Sequence, residues 1–246
     1  MGASQPPQRA LVAGASGQTG SELLAVLGST DLTVRASTRS FAETSRLERI
    51  GADEVVVADF FDAEDTVKAL DDCDVVFITL GTPPGIRHTI GGKLVDRIGV
   101  SNLITAAVSR DVSYVVYESA IGVGNSKSGM SLPARLVIRG SLRAKQDAER
   151  TIRQSGLPYT IIRPGTLTNQ PPSGEVLVGE GGDSVSGSIP RGDVARLMGA
   201  APFTAEAQNR AFEVVSRGGL SGSPKQLVDL DWNTDRIGLE PDQLEP

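Results

Sequence analysis

The chain has 246 residues with 24 Lys and Arg against 30 Asp and Glu, a formal charge of −6 at pH 7. That balance argues against a nonspecific nucleic-acid binder, which needs a basic surface, and the single cysteine, Cys73, excludes an intramolecular disulfide framework. No stretch has the apolar length of a membrane span and the start MGASQPPQR has no apolar core for a secretory signal, so a soluble cytoplasmic protein, monomer or homodimer, is expected.

Strand-like and helix-like segments alternate from residue 9 to about 165, the pattern of a parallel sheet with covering helices. The first unit, RALVAGASGQTGSELLAVL, runs from residue 9 to residue 27. Its short apolar run, Ala10–Ala13, leads into Gly14, Gly17 and Gly20 and then into an amphipathic segment, Gln18–Leu27. The spacing G-x-x-G-x-x-G, placed between a strand and a helix, suits a phosphate-rich ligand. Gly14 allows the tight turn, Gly17 lets a pyrophosphate approach the main chain, and Gly20 lets the helix pack on the strand. Backbone N–H groups of Gln18 and Thr19, with Ser16 beside them, then face the phosphates at the positive end of the helix.

The second strand, Leu32–Thr38, ends in Arg39 and Ser40. NAD binders place a carboxylate there for the ribose hydroxyls; a guanidinium instead suits a 2′-phosphate, so NADP(H) is the expected cofactor. Arg35 lies four residues earlier and is expected to face a covering helix. A helix over Thr44–Ile50 follows, then a strand over Glu54–Asp59. At its end Asp59, with Phe60, either reaches the adenine amino group or caps a turn. After a helix over Ala63–Leu70, the fourth strand, Asp74–Leu80, brings Leu80, Gly81 and Thr82 to the carboxyl edge of the sheet, where such folds bind ligands.

A helix over Leu94–Ser109 carries Asn102, expected to be a buried structural amide. The strand Tyr114–Ser119 is followed by the Gly- and Ser-rich segment 122–133, placed for a substrate loop, and by a helix over Leu142–Ser155. The sixth strand is Tyr159–Arg163. Beyond residue 166 the expected elements are a strand at Glu175–Val178, a helix at Asp193–Ala200 and a strand at Ala211–Val215. These are too few for a second domain and form an extension over the site, so a single domain is expected, with its core at 9–217 and a C-terminal arm at 218–246. The arm is either docked or frayed; Trp232 suits partial docking or a subunit contact. His88 is the sole histidine, and without a second one no metal site is expected.

GASGQTG at the first turn, VRASTR on the second strand, GVSNLITAAV on the long helix and YTIIRPGTLT on the sixth strand together resemble the atypical short-chain dehydrogenase/reductase superfamily. Within it they are most similar to the NAD(P)H-binding group that includes NmrA-like proteins and biliverdin/flavin reductases. The resemblance covers roughly residues 9 to 217 and implies a Rossmann-type, doubly wound α/β sheet with a small C-terminal extension. It also implies that Ser119 and Lys145 are the catalytic residues, Ser119 beside the nicotinamide and Lys145 on its ribose. Arg163, Pro164, Gly165 and Thr166 would form the turn closing over the ring. The chain departs from the superfamily at one position: the Tyr of Tyr-x-x-x-Lys is replaced by Ser141, four residues before Lys145. A serine hydroxyl is a far poorer acid than a phenol. The two activities left open are hydride transfer to an acceptor that needs little acid help, of flavin, quinone or aldehyde type, and NADP(H) sensing without turnover.

Overall fold

The strands β4 (Val75–Ile78) and β5 (Tyr114–Glu118) are buried at every position, as near-continuous β-branched and aromatic runs require of strands covered on both faces. The structure, a computed structural model, describes residues 7–81, 94–124 and 132–238, with the backbone alone for 132–139. The other strands of the main sheet are β1 (Arg9–Ala13), β2 (Thr33–Thr38), β3 (Glu54–Val57), β6 (Tyr159–Pro164), β8 (Val176–Glu180) and β10 (Arg210–Ser216). Eight strands run in the order β3-β2-β1-β4-β5-β6-β10-β8, parallel except for the antiparallel β8. The order reverses between β1 and β4, and the carboxyl ends of the strands around that reversal form the crevice in which doubly wound sheets bind ligands.

Alternate residues of each strand feed opposite cores, the direct consequence of a period of two. Ala10 and Val12 pack with α1 (Gln18–Leu27), α2 (Thr44–Ile50) and α6 (Arg191–Ala200), whereas Leu11 and Ala13 pack with α3 (Ala63–Ala69), α4 (Ile98–Ser109) and α5 (Leu132–Gln154). Arg35 is a structural residue, as expected. Its guanidinium binds Glu54 and the carbonyls of Ala69 and Asp71.

Two helices start four or more residues away from the sequence reading. The α4 helix starts at Ile98, not Leu94, because Val100 donates to the carbonyl of Val95, five residues back, in a turn wider than an α-helix. The α5 helix starts at Leu132, ten residues before the expected Leu142; Pro133 in its first turn is tolerated, since a first-turn N–H has no helical partner to lose. The end of the expected loop is therefore helical, and residues 125–131 of that loop lie outside the described residues.

The C-terminal extension adds β8 and β10 to the sheet. It also forms a separate two-stranded pair, β7 (Thr166–Thr168) with β9 (Ser188–Pro190), too short for any periodicity to betray. The arm is docked as far as it is described. Val228 and Glu180 exchange backbone bonds with β8 and the arm. Trp232 is buried edge-on to Phe212, with ring centroids 5.8 Å apart at 75°.

Candidate functional site

The glycine turn separates into two kinds of requirement. Gly14 has φ +95, and a Cβ on Gly20 would stand 2.2 Å from the carbonyl oxygen of Gly14, so both positions need glycine for the fold itself. Gly17 does not. It has φ −74 and ψ 167, open to any residue, and a Cβ there would meet only the Gly14 oxygen, at 3.2 Å. Gly17 caps α1 with no side-chain hydrogen bond, and the first turn of α1 contains no acidic residue. The first N–H groups of α1 thus have neither a side-chain cap nor an acidic residue in their own turn, which leaves them open to a phosphate group.

In front of the turn lies a cavity of about 240 Å³, running across the carboxyl ends of β3, β2, β1 and β4. Of the expected cofactor residues, Gly14, Ser16, Gly17, Arg39, Asp59, Phe60, Leu80 and Gly81 line it. Ser37, Thr38, Ala58, Thr79 and Val95 complete the wall. Ser37 accepts from the Gly14 N–H and donates to the Val12 carbonyl, both at 3.3 Å, and Thr79 Oγ1 donates to the Ala13 carbonyl at 3.1 Å. The hydroxyls of β2 and β4 thus hold the turn from both sides. Asp59 also serves its own loop, accepting from the Phe61 N–H at 3.0 Å. Ser40 is exposed, and its N–H is taken by Thr38 Oγ1. Asn102 donates to the Phe60 carbonyl at 2.9 Å, the structural role expected for it. Gln18 lines an adjoining cavity of about 380 Å³ that shares Ser16 and Gly17 with the first. Thr82 and His88 fall outside the described residues.

At the β5 end the side chains are bound to one another. Ser119 is buried and donates its hydroxyl to Glu149 Oε1 at 2.6 Å. Glu149 also accepts a bidentate pair from Arg163 (2.8 and 2.6 Å) and is 2.9 Å from Arg153. Burial alone would raise the Glu149 carboxyl, but the hydrogen bonds and charge of Arg163 outweigh it and hold the group below the usual carboxylate range. Arg163, read from the sequence as part of the turn over the ring, therefore points its side chain into α5. Gly165 lies in that turn, where a Cβ would stand 2.4 Å from the Gly187 carbonyl oxygen, and Thr166 beside it is exposed. The backbone continues this lock: Ser119 donates to the Ile162 carbonyl and Ile121 to that of Pro164.

Lys145 donates to the carbonyl of Glu118 at 2.9 Å and stands 4.0 Å from the fully buried Asp96. Its ammonium is thereby fixed at the carboxyl end of β5, and the same Asp96 Oδ1 lies 3.9 Å from the Cβ position of Gly81. The Tyr117 ring lies 5.4 Å below the ammonium, yet Tyr117 does not replace the missing phenol: it is fully buried, and burial drives its hydroxyl well above its ordinary range. Burial pushes the Cys73 thiol up to about 11, so it is no nucleophile. Among the described residues no group of three metal-ligating side chains occurs, and no helix is long and apolar enough to cross a membrane.

Glu118 was not foreseen as part of the site. Its carboxyl is buried and accepts from Thr19 Oγ1 at 3.0 Å, so the Thr19 side chain serves the protein while its N–H faces the turn. Burial raises the Glu118 carboxyl more than Lys145 and Thr19 lower it. A carboxyl raised by folding is neutral in both states below its unfolded value and costs stability as pH rises through its folded value. Glu118→Gln keeps the bond from Thr19 and is expected to raise the thermal midpoint at pH 7 but not at pH 4. Equal shifts at both pH values would remove the charge from the explanation.

An uncharacterized chloroplastic protein of Arabidopsis thaliana is 34% identical over 218 residues, 85% of this chain and 77% of its own. The uncharacterized sugar epimerase YhfK of Bacillus subtilis is 31% identical over 204 residues, 82% and 91% of the two chains. Sanguinarine reductase of Eschscholzia californica is 29% identical over 248 residues, 84% and 88%. Among solved structures, a putative NAD-dependent epimerase/dehydratase from Bacillus halodurans superposes with a TM-score of 0.76 at 27% identity, covering 88% of this chain and 96% of that one. A short-chain dehydrogenase/reductase of Veillonella parvula in complex with NADP shares the fold at TM-score 0.68 and 18% identity, covering 89% and 99%. The chloroplastic relatives overturn the expectation of a cytoplasmic protein, which had rested on the lack of a secretory signal and of a membrane span. Residues 14–203 match the NAD(P)H-binding family model, a span that takes in the glycine turn, the cavity and the Ser119–Lys145 end, and the chain belongs to that NAD(P)H-binding family.

Proposed function

We propose that the protein is an NADPH-dependent reductase that passes a hydride to a small conjugated or carbonyl acceptor of flavin, quinone or aldehyde type. The observation that carries the reading is the tract from Arg39, past the open face of Gly17, to Gly81, with Lys145 fixed just beyond it at the end of β5. Its chemistry changes along its length as a dinucleotide's does: a guanidinium, then backbone N–H groups, then an ammonium able to hold ribose hydroxyls. A bound dihydronicotinamide would supply the hydride. Lys145 orients the ribose, and the walls from β4 and β5 exclude water from one side of the ring. Ser119 commits its hydroxyl hydrogen to the ionised Glu149, and the phenol that would donate a proton is replaced by Ser141. The proton therefore comes from solvent, which favours acceptors whose own conjugated ring takes up the electron pair.

The preference for NADPH rests on Arg39, exposed at the mouth of the cavity with no carboxylate at the end of β2. Arg39→Asp is expected to weaken NADPH binding at least about 30-fold, the size of a lost charge-assisted contact plus a new repulsion, and NADH binding by less than about threefold. Titrations of cofactor fluorescence with both nucleotides decide it, and equal losses take Arg39 out of the site. Turnover is tested by the decay of NADPH absorbance against a panel of flavins, quinones and aldehydes. Tight NADPH binding with no consumption across the panel would replace this reading by its rival, a non-catalytic NADP(H) sensor.

A further inference from the structure

The second cavity, of about 380 Å³, is walled by Ser16, Gly17 and the start of α1 with Glu22 on one side, and by Glu43, Arg46, Asn169 and Arg191 on the others. The two arginines are not equivalent. Arg46 is engaged, paired with Glu43 at 2.7 Å and donating to Ser21 Oγ and the Ser16 carbonyl. Arg191 comes from the far end of the chain, at the junction of β9 and α6. Asn169 Oδ1 accepts from its Nη1 at 2.5 Å, which fixes the plane of the guanidinium and leaves its Nε and Nη2 edge for another partner. It shares the cavity with Gly17 and Gln18, whereas Arg39 lines the first cavity.

Arg191 is presented on a rigid mount. The fully buried Asp193 accepts from the N–H groups of Ser173 and Gly174 and from Ser173 Oγ, tying the start of α6 to the preceding loop. A Cβ on Gly192 would strike Pro172 at 2.4 Å, so the backbone beside Arg191 is wedged in place. This costs the protein a half-buried cation in a chain of net charge −6, and the neighbouring cation–anion pairs leave it without a carboxylate within salt-bridge distance among the described residues.

We propose that Arg191 holds the pyrophosphate of the dinucleotide, making the C-terminal extension a part of the cofactor site. The proposal rests on the dinucleotide reading above and adds a residue to it. A planar fork of N–H donors suits two adjacent phosphoryl oxygens. The N–H groups of Gln18 and Thr19 approach the pyrophosphate from α1, and Arg191 approaches it from α6.

The test uses two fragments that carry different phosphates. ADP contains the pyrophosphate and lacks the 2′-phosphate; adenosine 2′-monophosphate has the reverse. Affinities of the full chain are measured by displacement of NADPH fluorescence. In Arg191→Ala, ADP, NADH and NADPH are expected to bind at least about tenfold more weakly, with adenosine 2′-monophosphate unchanged within twofold. Arg191→Lys should recover part of the loss, since an ammonium keeps the charge but not the fork. Arg39→Ala should give the opposite pattern. Equal weakening of both fragments in Arg191→Ala, or unchanged ADP affinity, overturns the proposal. Wild-type protein that binds neither fragment nor NADPH would overturn the dinucleotide reading itself, a different result from either of these.

Discussion

Gly17→Val is expected to abolish binding of NADPH and NADH together while leaving the chain folded. The backbone at Gly17 is ordinary extended conformation, so a side chain costs no strain there, and the 3.2 Å approach to the Gly14 oxygen is relieved by a shift of a few tenths of an ångström. The stability loss should stay near about 1 kcal/mol, the difference between glycine and a branched residue at a helix N-cap. The added methyl groups, however, project into the open face where phosphate would meet the N–H groups of α1. Gly20→Ala is the control that separates fold from site. Its Cβ would stand 2.2 Å from the Gly14 oxygen and 2.8 Å from Thr79 Oγ1, neither of which can retreat without dragging β1 or β4. A loss of about 3 kcal/mol is expected there, at the upper end for a forced overpacking. Urea denaturation reads the first quantity and cofactor titration the second. Retained affinity in Gly17→Val would mean that the turn is not the phosphate site.

Glu149→Ala is expected to cost about 3–5 kcal/mol, the usual consequence of stripping the partner from a buried charge. Arg163 is buried and bidentate on Glu149, and Ser119 depends on the same carboxylate, so one truncation leaves a guanidinium and a hydroxyl without it. The loss should depend on pH with a definite sign. Folding lowers the Glu149 carboxyl, so its stabilisation is present above the unfolded value, about 4.5, and disappears as pH falls through the folded value. The gap between wild type and Glu149→Ala in urea midpoint should therefore be wide at pH 7 and narrow towards pH 3. A gap of constant width would make the effect one of packing, not of charge.

Much of the architecture was legible in the chain because local rules dictate it. The buried runs at β4 and β5 and the glycine spacing between β1 and α1 are each set by a few adjacent residues. The residues lining the cavity were legible for a related reason. Gly14, Gly17, Arg39, Asp59 and Gly81 all fall where a strand of a parallel sheet ends, and the ends of such strands share one edge whatever the loops do.

What the sequence determined by itself was thus the sheet, its ligand-binding edge and the kind of ligand that edge suits. The tertiary structure alone decided the direction in which individual side chains point. Arg163 sits in a motif that reads as a turn over the ring, but its guanidinium is drawn into α5, because a buried cation must find a carboxylate and Glu149 offers it both oxygens. Ser119 is turned the same way for the same carboxylate. Arg191, 174 residues after Gly17 in the numbering, comes to stand beside it only because α6 packs along α1. Hydrogen-bond and charge partners of that kind have no spacing to reveal them. They are chosen by burial, and burial is a property of the folded chain.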